Sequence, residues 1–161
     1  MPHHADLASS TSAGPIRVAV LRLPHAADIP LPSRATPGSA GWDLRAAVPD
    51  SVTLQPGERA LIPTGICIAI PAGYEGQVRP RSGLALRHGI GMVNAPGTID
   101  SDYRGEIAVL LVNLGSEDAT IRRGDRIAQL VIAPVAEAVI AEAASLDETS
   151  RGAGGFGHSG T

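Results

Sequence analysis

The chain has 161 residues, enough for one domain with its own hydrophobic core, and a formal net charge of −3 with a pI near 5.9. That balance argues against a general nucleic-acid binder but leaves open a local cationic site for a small anion. All 13 basic residues are arginine, which excludes a P-loop, with its required lysine, and Schiff-base chemistry.

Residues 1–15 are rich in Ser, Ala, His and Pro and read as a flexible tail without a secretory pattern. No run is long and apolar enough to span a bilayer. The expectation is a soluble cytoplasmic protein that engages neither membrane nor nucleic acid. The segment IRVAVLRL (16–23) alternates as a strand does. Turn signals then recur at short intervals, among them Pro37-Gly38, Pro56-Gly57, Pro96-Gly97 and Arg123-Gly124-Asp125. Between them lie the apolar runs SVTL, ALIPTGICIAI, EIAVLLVN and RIAQLVIAPV. Many short strands with Gly/Pro punctuation define an all-β sandwich or barrel. Pro63, inside one run, belongs at an edge or a bulge. Cys67, the single cysteine, excludes an internal disulfide and reads as a small buried hydrophobe.

One stretch departs from the strand pattern. RSGLALRHG (81–89) predicts a short helix, with Ser82 as N-cap and Gly89 as stop. VAEAVIAEAAS (135–145) is expected to be a last strand leading into an arm. RGAGGFGHSGT (151–161), with five glycines, cannot pack as an element by itself. Its composition fits a disordered terminus; Arg151 and Phe156 set in a glycine frame fit a mobile lid that orders over an anion.

Four aromatics are present. Trp42 and Tyr74 read as ordinary packing, whereas Tyr103 and Phe156 lie among charges or glycines and are available for stacking. In PRSGLAL, Arg81, Ser82 and a helix start offer an anion site, against the plainer reading of a capped helix beside a surface arginine. In GTIDSDYRGE, Asp100 follows a turn and a core-facing Ile99, which places a carboxylate where it can hold and deprotonate water. Asp102 and Arg104, two apart, are expected to form a local ion pair. Asp43, between apolar neighbours, fits a supporting hydrogen-bond network or a hydrated metal. Gln129, in an apolar strand, either meets a phosphate oxygen or satisfies a backbone group. The RGD at 123–125 reads as a turn, not an adhesion motif.

In order along the chain, AGWDL (40–44), PRSGLAL (80–86), NAPGTIDSDYRGE (94–106), GDRIAQL (124–130) and RGAGGFGHSGT (151–161) resemble the five motifs of the homotrimeric dUTP diphosphatase (dUTPase) family. The resemblance runs from about residue 16 to the end. It implies a jelly-roll-like β domain over 16–144 with one short helix, followed by a mobile C-terminal arm over 145–161. It implies a trimer with active sites at subunit interfaces, hydrolysing dUTP to dUMP and pyrophosphate with Mg²⁺ and so supplying dUMP for thymidylate synthesis. By the third motif, Asp100 activates the attacking water and Tyr103 stacks under the deoxyribose, leaving no space for a 2′-hydroxyl. Asn94 and the main chain of Thr98, Ile99 and Ala108 read uracil. Arg81, Ser82 and Gly83 hold phosphates with Gln129 assisting, Arg151 reaches the terminal phosphate, and Phe156 covers the base. Asp43 meets waters of the metal and does not ligate it. The tail departs from the family's usual Gly-Phe-Gly-Ser-Thr-Gly at His158, which leaves open whether Ser159 or Thr161 meets a phosphate. dCTP deaminase, which shares the fold, is the nearest rival activity; a non-catalytic sandwich that binds a protein partner is the rival from another class.

Overall fold

Alternation along the apolar runs dictates the sheets. In EIAVLLVN, residues 107, 109, 111 and 113 are buried and those between them are partly exposed, as a strand with one face on a core requires. The computed structural model describes residues 14–155. Its strands are β1 (Ala19–Arg22), β2 (Trp42–Arg45), β3 (Val52–Leu54), β4 (Arg59–Ala69), β5 (Tyr74–Arg79), β6 (Ile90–Met92), β7 (Gly97–Ile99), β8 (Glu106–Asn113), β9 (Ala119–Ile121) and β10 (Arg126–Pro134). One helix, α1 (Ser82–His88), and a 3₁₀ turn (Pro24–Ala26) complete the elements.

Two four-stranded sheets, in the orders β1-β4-β8-β6 and β2-β10-β5-β7, and a β3-β9 ribbon form a jelly-roll-like fold in which every pairing is antiparallel. One aliphatic core joins all three. Leu44 and Ile127 from one sheet, Ile62, Ile107, Val109 and Leu111 from the other, and Leu54 and Ile121 from the ribbon meet there. A chain with 2% aromatic residues has to fill its interior this way. The strands expected from the apolar runs up to residue 134 form, although the first spans only Ala19–Arg22. The strands β2, β5, β6, β7 and β9 went unread in the sequence. They run three to six residues and include polar stretches such as YEGQVR, whose period is too short to register.

Pro63 sits where the sequence places it: the β4–β8 register shifts between Pro63 and Cys67. Gly65 in that bulge has φ 70°, and a Cβ on it would lie 2.0 Å from the Ala26 methyl. Two expectations need correction. The N-cap of α1 is Arg81, not Ser82, because the Leu84 and Ala85 amides both donate to the Arg81 carbonyl, which starts the helix one residue earlier. Gly89 does close it, at φ 64°. The last strand ends at Pro134, so 135–145 is not one. β10 runs out of partner at Tyr74, the first residue of β5, and beyond it Val139 and Ile140 are fully exposed.

Two buried polar groups knit the core. Thr64 donates to the Ile107 carbonyl at 2.6 Å, and Asn113, 0% exposed, donates to the carbonyls of Leu54 and Glu117 while accepting the Gly115 amide. Asn113→Leu strands three backbone groups and is expected to cost about 2–4 kcal/mol in denaturant unfolding at fixed protein concentration.

The RGD segment is a turn, with the Arg122 amide donating to the Asp125 carboxylate and Gly124 at φ 84°. Its Arg123 pins the 3₁₀ turn, donating to the His25 carbonyl at 2.6 Å and to both Asp28 oxygens. The hydrogen bond from Arg123 holds the Asp28 carboxyl below its ordinary range. A depressed carboxylate contributes above its unfolded pKa and loses the contribution as pH falls through the folded value. The Tm difference between wild type and Asp28→Asn is therefore expected at pH 7 and to shrink as pH falls from the ordinary carboxylate range through the lower folded value.

Candidate functional site

The chain carries the predicted residues in two clefts. The first, about 310 Å³, opens between β7 and β8. Asn94, Thr98, Ile99, Asp100, Tyr103 and Ala108 all line it, over an apolar floor that includes Leu61, Val78 and Met92. β7 is the edge strand of its sheet, so its outer main-chain donors and acceptors have no ladder partner. Ile99 packs on the core and leaves Asp100 exposed just past the strand end. Asp100 makes no ion pair among the described residues. The Tyr103 amide donates to the Asp100 carbonyl at 3.2 Å, which turns the chain. The Tyr103 ring is 42% exposed, and its hydroxyl donates to the Glu106 carbonyl at 2.9 Å.

The expected Asp102–Arg104 ion pair is absent. Arg104 Nη1 donates instead to the carbonyls of Ser101 and Tyr103, each at 2.7 Å. Residues 101–105 turn, so the two-residue period of an extended chain does not hold there. Trp42 and Tyr74 pack as expected: Arg34 lies 4.3 Å from the centroid of the Trp42 ring, and Tyr74 abuts the core.

The second cleft, about 200 Å³, gathers Asp43, Arg81, Ser82, Gly83 and Gln129. Cross-strand register does this: Gln129 on β10 pairs with Asp43 on β2 on one side and with Arg79, the end of β5, on the other. The chain then passes through Pro80 to Arg81 and the start of α1. The Asp43 carboxylate bridges Arg81 Nε and Arg126 Nη1, each at 3.1 Å. Arg81 Nη1 also donates to the Arg126 carbonyl at 3.0 Å. Two guanidinium groups are thus held side by side around one carboxylate at the head of a helix. Gln129 Nε2 donates one hydrogen bond to the Pro80 carbonyl at 3.1 Å and keeps a second N–H. Gly41 lets it lie there, since a Cβ at that position would meet Gln129 Oε1 at 2.7 Å.

The two clefts have no lining residue in common. A larger one, about 530 Å³ beside α1, β9 and β10, includes Arg81 and Arg126 but not the acidic candidate Asp100. Arg151 lines none of the three; its Nε donates to the Gly154 carbonyl at 2.8 Å. Phe156 and the tail hydroxyls of Ser159 and Thr161 lie outside the described residues. Sequence reasoning gave no role to Arg126 or Glu106. Arg126 becomes a partner of Asp43 only through the β2–β10 register, and Glu106 enters the first cleft only because β8 begins beside the bulge in β4.

No group of three or more His, Cys, Asp or Glu residues among those described forms a metal cage, and no described helix is long and apolar enough to cross a membrane. The fold and the two clefts together define an all-β protein with one carboxylate-rimmed cleft and one that gathers Arg81 with Asp43. The dUTPase family model matches residues 27–160. The chain belongs to the dUTPase family.

Relatives named deoxyuridine 5′-triphosphate nucleotidohydrolase support this. That of Rhizobium meliloti is 60% identical over 144 residues, 88% of this chain and 90% of that protein. That of Caulobacter vibrioides is 62% identical over 136 residues, 83% and 88% of the two. Among solved structures, a Staphylococcus bacteriophage 80alpha dUTPase with dUpNHpp superposes with a TM-score of 0.80 at 26% identity, covering 90% of this chain and 99% of that one. A dUTPase from phage phi11 of S. aureus, described with a structural Mg(II) ion, shares the fold with a TM-score of 0.73 at 24% identity, over 82% and 99%.

Proposed function

We propose that the protein hydrolyses dUTP to dUMP and pyrophosphate with Mg²⁺, as a homotrimer whose neighbouring subunits complete each active site. The cleft between β7 and β8 carries this reading. It has an apolar floor, an edge strand with unpaired main-chain groups, a tyrosine on one wall and an exposed carboxylate at the rim. The Asn94 amide and the main chain of Thr98, Ile99 and Ala108 read the base edge, and Tyr103 lies under the deoxyribose. Arg81 and the Ser82 and Gly83 groups hold the phosphates, with Gln129 assisting. Asp100 holds a water and takes its proton as the oxygen attacks the α-phosphorus in line. The bond to the bridging oxygen breaks and pyrophosphate leaves. Cationic and amide donors fixed in advance stabilise the charge that gathers on the phosphoryl oxygens.

Mg²⁺ commonly keeps several waters and binds through substrate phosphates, so it would need no cage of protein side chains. Bound there, it neutralises phosphate charge. Each Asp43 oxygen retains acceptor capacity beside its arginine, so Asp43 would orient the water shell of the hydrated ion and would not ligate it directly.

The separation of the phosphate cleft and the nucleoside cleft within one chain supports shared sites. A second support is the outer face of the β1-β4-β8-β6 sheet, where Leu21 and Leu61 are 64% and 65% exposed and Leu61 stands opposite Leu110. The arm from residue 145 onward carries Arg151 and Phe156 to a neighbouring site. Steady release of pyrophosphate from dUTP, with no ammonia from dCTP, is the expected assay result; ammonia release would make the protein a deaminase.

A further inference from the structure

We infer that His25 and Glu106 form a positioning relay that sets the Tyr103 ring and thereby tunes the preference for deoxyribose over ribose. The inference rests on the reading of Tyr103 as the residue that leaves no space for a 2′-hydroxyl. The ring folds back over Gly105, where a Cβ would lie 2.4 Å from the tyrosine hydroxyl, and that hydroxyl donates to the Glu106 carbonyl. The height of the ring in the cleft therefore depends on where the Glu106–Ile107 peptide sits.

Regular pairing is interrupted at that peptide, because the β4–β8 register shifts between the Cys67–Glu106 and Pro63–Ala108 pairs. The Glu106 side chain fills the gap. Its Oε1 accepts the Gly65 amide at 2.7 Å and faces His25 Nε2 at 3.2 Å. An ionised carboxylate only accepts, so His25 donates through Nε2. His25 is itself held, since its carbonyl accepts from Arg123 and the neighbouring Leu23 amide donates to the Gly65 carbonyl at 2.8 Å. The Ala26 methyl occupies the space beside Gly65 that a side chain there would need. Contacts thus run from the 3₁₀ turn through the bulge and the Glu106 carboxylate to the tyrosine hydroxyl. Glu106 and Tyr103 line the same cleft as Asp100.

The test is the ratio of kcat/KM for dUTP to that for UTP, measured in single turnover with enzyme in excess. A loss of folded protein lowers both values equally and cancels in the ratio. His25→Ala and Glu106→Ala are each expected to reduce the ratio about two- to tenfold, the scale of one lost hydrogen bond. His25→Gln, which keeps a donor, restores part of it. In a Tyr103→Phe background, where the tether is already cut, His25→Ala changes the ratio no further. A wild-type ratio in His25→Ala and Glu106→Ala, beside a collapsed ratio in Tyr103→Ala, overturns the relay alone, as does an undiminished effect of His25→Ala in Tyr103→Phe. A wild-type ratio in Tyr103→Ala overturns both the relay and the sugar-screening role beneath it.

Discussion

Asp100→Asn is expected to lower kcat for dUTP about 10²–10⁴-fold, the usual contribution of a positioned general base. Nucleotide affinity and thermal stability stay close to wild type. Asp100 is exposed, makes no ion pair among the described residues, and is held in place by the neighbouring Ile99 on the core. An amide of the same shape keeps these features but cannot take a proton from water. The measurement is kcat together with the Kd for a non-hydrolysable dUTP analogue. Turnover within a few-fold of wild type removes Asp100 from the mechanism, and loss of both turnover and affinity makes it a binding group.

Truncation before Arg151 is the second large effect. Residues 151–155, the described part of the deleted segment, add nothing to the aliphatic core, so the domain is expected to fold as before. Turnover falls about 10²–10³-fold, as when a charged or dipolar donor preorganised for the transition state is removed. The loss appears mainly in kcat, because closing a glycine-rich arm excludes water and strengthens every charged contact inside. Arg151→Ala in the full chain separates the guanidinium from the rest of the arm and is expected to account for most of the loss. A truncated protein that turns over dUTP at the wild-type rate abolishes the lid.

Local pattern made part of this legible without coordinates. The alternation of EIAVLLVN and RIAQLVIAPV, the glycine stop at Gly89, the bulge at Pro63 and the turn at Gly124 each depend on neighbours a few residues away. Where pattern misled, a longer-range condition had taken over. VAEAVIAEAAS is not a strand because β10 has by then run past Tyr74, the first residue of its partner β5. Asp102 and Arg104 do not meet because their segment turns.

The sequence by itself determined the all-β class, the aliphatic core and the position of Asp100 just past a core-facing Ile99. These follow from side-chain chemistry and short periods, which are properties of the chain read in order. Only the tertiary structure decided that Asp43 joins Arg81 to Arg126, that Gln129 caps the Pro80 carbonyl, and that Glu106 ties a histidine 81 residues away to the wall of the cleft. Each of these contacts is a matter of cross-strand register or bulge geometry. Register is set by how whole sheets close over a shared core, and no local stretch of sequence contains it.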